Sequence, residues 1–133
     1  MACLIDMANL IYACVLTRDI ERLDAFYRAV LQMEPRSREA YREFQTEPGI
    51  FSLWSLDEFE QITGTVAVQA TAGGSVMLEF QVEDVDAEYE RLRSITQLEI
   101  EFVLQPTTLP WGNRSIYFRD SDGNLVNFFT RVG

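Results

Sequence analysis

A chain of 133 residues, 47% hydrophobic and 24% charged, holds enough apolar material for one packed domain and no apolar run long enough to span a membrane. A formal net charge of −10, from 21 acidic and 11 basic residues, excludes the positive footprint that nucleic acids require. The sequence contains no His, which removes the commonest general base and the commonest transition-metal ligand.

The start of the chain has no basic residue before Arg18, so no export signal is expected. Cys3 and Cys14 are then reduced thiols, and the expected location is cytoplasmic. Asn9–Leu16 alternates as a strand, with Tyr12, Cys14 and Leu16 on one face. Asp19 is placed to cap a helix in which Ile20, Leu23, Tyr27, Val30 and Leu31 recur at helical spacing, and Pro35 ends it. Glu39–Phe44 alternates weakly and Ile50–Ser55 strongly, with Glu47-Pro48-Gly49 as the turn between them. Leu56, Phe59 and Ile62 predict a short helix over Leu56–Thr63, and the glycine-bearing stretch Gly64–Gly74 reads as a linker.

The pattern then recurs. Ser75–Val82 alternates, with Met77, Glu79 and Gln81 on one face, and Asp84 precedes a helix carrying Val85, Tyr89 and Leu92. Asp19 and Asp84 lie 65 residues apart (84 − 19), and at that offset Ile20 matches Val85, Tyr27 matches Leu92 and Tyr12 matches Met77. A repeat of this length means two copies of a supersecondary unit. Glu101–Leu104 is a short strand, and Pro106–Gly112 is a loop holding Trp111. Ser115–Phe118 and Leu125–Phe129 form a hairpin around Asp120-Ser121-Asp122-Gly123-Asn124, whose residues are those that make turns. Leu125, Asn127 and Phe129 share a face, and Asn127 is the polar residue between two apolar ones.

The expected fold is α+β, a single domain over 1–133. It consists of two βαβββ units, 9–55 and 75–130, joined by a short helix and linker over 56–74. A helix covers one face of each set of strands. The other faces form a curved mixed sheet with a concave cleft, or pack on a second chain.

With this order of elements, the segments TRDIERLDAFYRAVL, FQVEDVDAEYERL and LPWGNRSIYFRDSDGNLVNFF resemble the vicinal oxygen chelate superfamily, which includes glyoxalase I, extradiol dioxygenases, fosfomycin-resistance enzymes and bleomycin-resistance proteins. The resemblance runs from about Asn9 to Thr130; Ser121 stands where the family turn commonly has proline. It implies a cleft in which the enzymes of the superfamily hold a divalent metal with His, Gln or Glu. The positions that carry over are Tyr12, Met77, Asn127 and, near the end of the first unit, Ser52. None of these is an anion at neutral pH, and a hard cation prefers carboxylates, so neither a metal nor another cofactor is expected.

The candidate ligand-binding residues are Tyr12, Cys14, Trp54, Met77, Glu79, Trp111, Asn127 and Phe129. Glu79 is either a charge partner or base in the cleft, or a rim carboxylate paired with Arg114 or Arg119. Trp54 and Trp111 are stacking surfaces or ordinary core and dimer contacts. Cys14 is small apolar lining, since no His or Lys is available to activate it. Asp120-x-Asp122-Gly123 lacks the Glu that a calcium loop needs at its twelfth position, which is Arg131.

The expected function is a metal-free small-molecule binding protein, similar to the bleomycin-resistance branch. It would act as a homodimer that sequesters a flat, neutral-to-cationic ligand. The alternative is a glyoxalase- or dioxygenase-like enzyme, either metal-dependent with unusual ligands or a metal-free isomerase using Glu79 as base.

Overall fold

Two aspartates start the two main helices. Asp19 accepts a hydrogen bond from the Arg22 backbone N–H, and Asp84 accepts one from that of Ala87, each at 3.1 Å. Each satisfies an N-terminal amide that the helix itself leaves open. The computed structural model of the protein describes residues 12–64 and 77–132; the expected strand residues 9–11 and 75–76, most of the linker, and Cys3 lie outside them. The chain divides into two compact units at Gln69/Ala70.

The first unit runs β1 (Tyr12–Thr17), α1 (Ile20–Leu31), β2 (Arg36–Arg38), β3 (Tyr41–Gln45), β4 (Ile50–Ser55) and α2 (Leu56–Thr63). Its four strands are ordered β1-β4-β3-β2, with β1 parallel to β4 and the remaining pairs antiparallel. Leu23, Phe26, Tyr27 and Val30 of α1 are buried, as are Phe44, Phe51 and Leu53 of the sheet. Each such side chain contributes about 1.5–3 kcal/mol relative to exposure. Tyr27 meets Phe51 edge-on at a ring separation of 4.7 Å. Arg42 shares this buried side of β3. It donates to Glu21 at 2.6 Å and to the Glu39 carbonyl, and lies 3.6 Å from Asp24. Ser55 caps α2, and Gly64 ends it in the left-handed conformation at φ 67°.

The second unit runs β5 (Met77–Gln81), α3 (Val85–Arg93), β6 (Phe102–Thr108), β7 (Asn113–Arg119) and β8 (Leu125–Arg131), with a 3-10 turn at Thr96–Leu98. The strand order β5-β8-β7-β6 repeats that of the first unit, again with one parallel pair, β5 and β8. Val85 and Leu92 of α3 are buried with Ile116, Phe118, Val126 and Phe128, and Tyr89 meets Phe102 edge-on at 4.9 Å. The β7–β8 turn closes on Asp120. Its Oδ1 accepts from the backbone N–H groups of Asp122 and Asn124, and its Oδ2 from the Asn124 amide, all at 2.9 Å. Gly123 supplies the positive φ, 88°, that the turn requires.

The α+β fold with two βαβββ units is therefore present, each unit carrying its own four-stranded mixed sheet. Two local expectations change. A separate strand, β2, precedes the weakly alternating stretch Glu39–Phe44, which itself begins with a turn in which Glu39 takes φ 34° before β3 starts at Tyr41. The loop expected from Pro106 begins only after Thr108, because β6 continues through the proline. Proline is tolerated there because β6 is an edge strand whose pairing shifts register between Leu104 and Thr107. No described helix is long and apolar enough to cross a membrane.

Candidate functional site

The sheet of the second unit has one face against α3 and one turned away from it. Alternation and register put Met77, Glu79 and Gln81 of β5, Leu125, Asn127 and Phe129 of β8, and Ser115, Tyr117 and Arg119 of β7 on the side away from α3. Glu79 lies opposite Asn127, and Asn127 opposite Tyr117, so the three form one row across the strands. Asn127 Nδ2 donates to Glu79 Oε1 at 3.0 Å. A carboxylate only accepts, so the amide nitrogen must face it and Oδ1 must point elsewhere. Asn127 is 3% exposed, and its Oδ1 has no partner among the described residues. On the next row Ser115, 1% exposed, also holds a hydroxyl without a partner. Buried polar atoms are ordinarily paired, so a buried amide oxygen and a buried hydroxyl without partners among the described residues set this face apart.

Met77 is exposed and opposite Leu125, one row from Glu79. Phe129 is opposite Ser115. Trp111, 68% exposed, sits on the β6–β7 loop, which the Val132 N–H fastens by donating to the Gly112 carbonyl at 3.0 Å. It thus stands near the Phe129 end of the sheet and outside the Glu79 row.

The remaining candidates lie on the sheet of the first unit. Tyr12 is opposite Ile50, Cys14 opposite Ser52, and Trp54 opposite Leu16 and Tyr41. Cys14 is an exposed free thiol. Trp54 is held in place, its Nε1 donating to Glu58 at 2.7 Å and its ring edge-on to Phe59. The same face carries a cluster that alternation in the weak strand had not drawn attention to. Tyr41 donates to Glu43 Oε2 at 2.8 Å, and Gln45 donates to its Oε1 at 2.6 Å. Burial, and then the bond to Glu43, raise the Tyr41 phenol above its ordinary pKa, so it stays a donor.

The sequence profile of the glyoxalase-like domain matches residues 10–130. The chain belongs to the glyoxalase-like family. Its fold is that of the vicinal oxygen chelate superfamily. A glyoxalase/bleomycin resistance protein/dioxygenase from Nocardioides is 28% identical with a TM-score of 0.78, over 94% of this chain and 84% of its own. A glyoxalase/bleomycin resistance protein/dioxygenase family enzyme from Burkholderia phytofirmans PsJN superposes at 0.79 with 18% identity, over 94% and 100% of the two chains. TioX from Micromonospora sp. ML1 superposes at 0.66 with 21% identity, over 94% and 100%. A comparison with curated protein sequences gave no match.

The superfamily's metal does not fit the residues present. The positions carried over hold Tyr12, Ser52, Met77 and Asn127, a phenol, an alcohol, a thioether and an amide. In the strand ladders it is Cys14 and Glu79, rather than Tyr12 and Met77, that lie opposite Ser52 and Asn127. That set adds one carboxylate, and its Oε1 is already taken by the Asn127 amide. No metal-dependent step follows from these donors.

Glu79 is not paired with an arginine. Arg114 lies on the α3 side of β7 and holds Asp86 through two bonds of 2.7 and 2.9 Å. Arg119 donates to the Gly123 carbonyl at 3.2 Å and lies 3.6 Å from Glu101. Sequence reasoning passed over Ser115 and Tyr117. The alternation of Ser115–Phe118 contained the signal, since Ser115 is a polar residue two positions from Tyr117 on the same face.

Proposed function

We propose that this protein binds a small, flat, neutral-to-cationic molecule without a metal, in the manner of a sequestering protein. The ligand would rest on the face of the second sheet that is turned away from α3. The observation that carries the reading is the bond between Asn127 and Glu79. Where the superfamily's enzymes usually place a metal-binding carboxylate, this chain has an amide that engages a neighbouring carboxylate. Glu79 remains exposed and able to meet a cation. Phe129 and Trp111 offer aromatic faces, each worth ~0.5–2 kcal/mol to a cation. The net charge of −10 favours approach of cationic molecules. Function as a homodimer belongs to the same proposal.

The test is calorimetry against size-matched aromatic cations and anions, with elemental analysis of the purified protein. Tighter binding of cations, and no stoichiometric transition metal, is the expected result. Equal or tighter binding of anions, or about one zinc, nickel, iron or manganese per chain that is lost on Asn127→Ala, would refute it. The enzymatic alternative rests on the same bond, which holds the Glu79 carboxylate in one orientation for use as a base. If a turnover is found for a ligand, its survival in Glu79→Gln would remove that alternative.

A further inference from the structure

We infer that the ligand of the second sheet presents a pair of N–H donors, as an amidinium, guanidinium or aminoazine edge does, to Glu79 and Asn127 together. This rests on the proposed reading of the sheet face away from α3 as a binding surface and narrows it to one ligand chemistry.

The argument is one of donors and acceptors. Glu79 Oε1 accepts from Asn127 Nδ2, and Glu79 Oε2 has no partner among the described residues. The amide cannot turn over without setting its oxygen against the carboxylate, so Asn127 Oδ1 stays an acceptor. It is buried and has no partner among the described residues. The two free acceptors sit on side chains directly opposite each other in adjacent strands. Neighbouring strands lie about 4.8 Å apart, so the two side chains stand side by side before one ligand edge. A buried acceptor is satisfied by an N–H or O–H and by nothing else, so a quaternary ammonium or a ligand edge lined with acceptors leaves Asn127 Oδ1 unpaired. The carboxylate beside it selects a positively charged donor. Ser115, diagonal to Asn127 across β7 and β8, shows that the unpaired polarity extends along the face.

The probes are benzamidine, phenyltrimethylammonium and benzoate, compared by calorimetry on the native protein and on Glu79→Gln and Asn127→Ala. Native protein should bind benzamidine at least about tenfold more tightly than phenyltrimethylammonium, and benzoate least. Glu79→Gln replaces the free acceptor by an amide donor at an exposed position, where folding is not at stake, and should bring the ratio of the two cations close to one. Asn127→Ala should lower the same ratio. Equal binding of the two cations by native protein overturns the inference and leaves the cation reading standing. Benzoate binding as tightly as the cations, or no cation binding at millimolar concentration, overturns both. A preference for benzamidine that survives both substitutions overturns the assignment to Glu79 and Asn127.

Discussion

Replacing Arg42 by Met tests how the first sheet is held. Arg42 is 6% exposed, ties β3 to α1 through Glu21 and Asp24, and holds the β2–β3 turn through the Glu39 carbonyl. Because side chains alternate along β3, this inward arginine also keeps Tyr41, Glu43 and Gln45 on the opposite face. Methionine preserves most of the buried stem and removes the charge. Breaking a buried ion pair costs about 3–5 kcal/mol, since the partner charge is left behind. The low end applies here. The Glu21 side chain is 77% exposed and can return to water, and Asp24 keeps Arg28 at 2.8 Å. A loss of ~3 kcal/mol would lower Tm by roughly 10 °C in a domain of this size. Urea unfolding of Arg42→Met, Asp24→Leu and the double variant measures both the cost and the coupling. The double variant should recover at least 1–2 kcal/mol relative to the sum of the singles, because it leaves neither charge orphaned. A loss under about 1 kcal/mol in Arg42→Met, or strict additivity in the cycle, would refute the account.

Three further outcomes are expected. The Arg114 guanidinium, through its hydrogen bonds, holds the Asp86 carboxyl below the usual carboxylate range. Its folded-state pKa is depressed, so its contribution is complete above the unfolded value and is lost as pH falls through the folded one; the stability gap between native protein and Asp86→Asn should narrow below about pH 4 in acid unfolding. Gly64→Ala should cost about 1 kcal/mol by urea unfolding, since an added Cβ meets nothing within 4 Å and the positive φ alone is responsible. Sedimentation at tens of micromolar should show a species of twice the 15.3 kDa chain, and a single-chain species there would remove the homodimer from the proposal.

What could be read along the chain was whatever adjacent residues decide among themselves. Asp19 and Asp84 are capping residues because each needs only the amide three positions on. The Asp120–Asn124 turn closes on its own side chains, and the alternation of Met77–Gln81 and Leu125–Phe129 allots Glu79 and Asn127 to definite faces without reference to the rest of the molecule. The tertiary structure decided which faces meet and in what register. Glu79 and Asn127 are 48 residues apart in sequence, and their bond exists because β5 pairs with β8 in one register; a slip of one residue would turn one of them toward α3. The same long-range pairing sets Cys14 rather than Tyr12 against Ser52 and gives Arg114 to Asp86 of α3. It also makes β6 an edge strand that can contain Pro106. Local patterning fixes a side chain's direction over a few residues, whereas its partner depends on loop closures and sheet order that no short window of sequence contains.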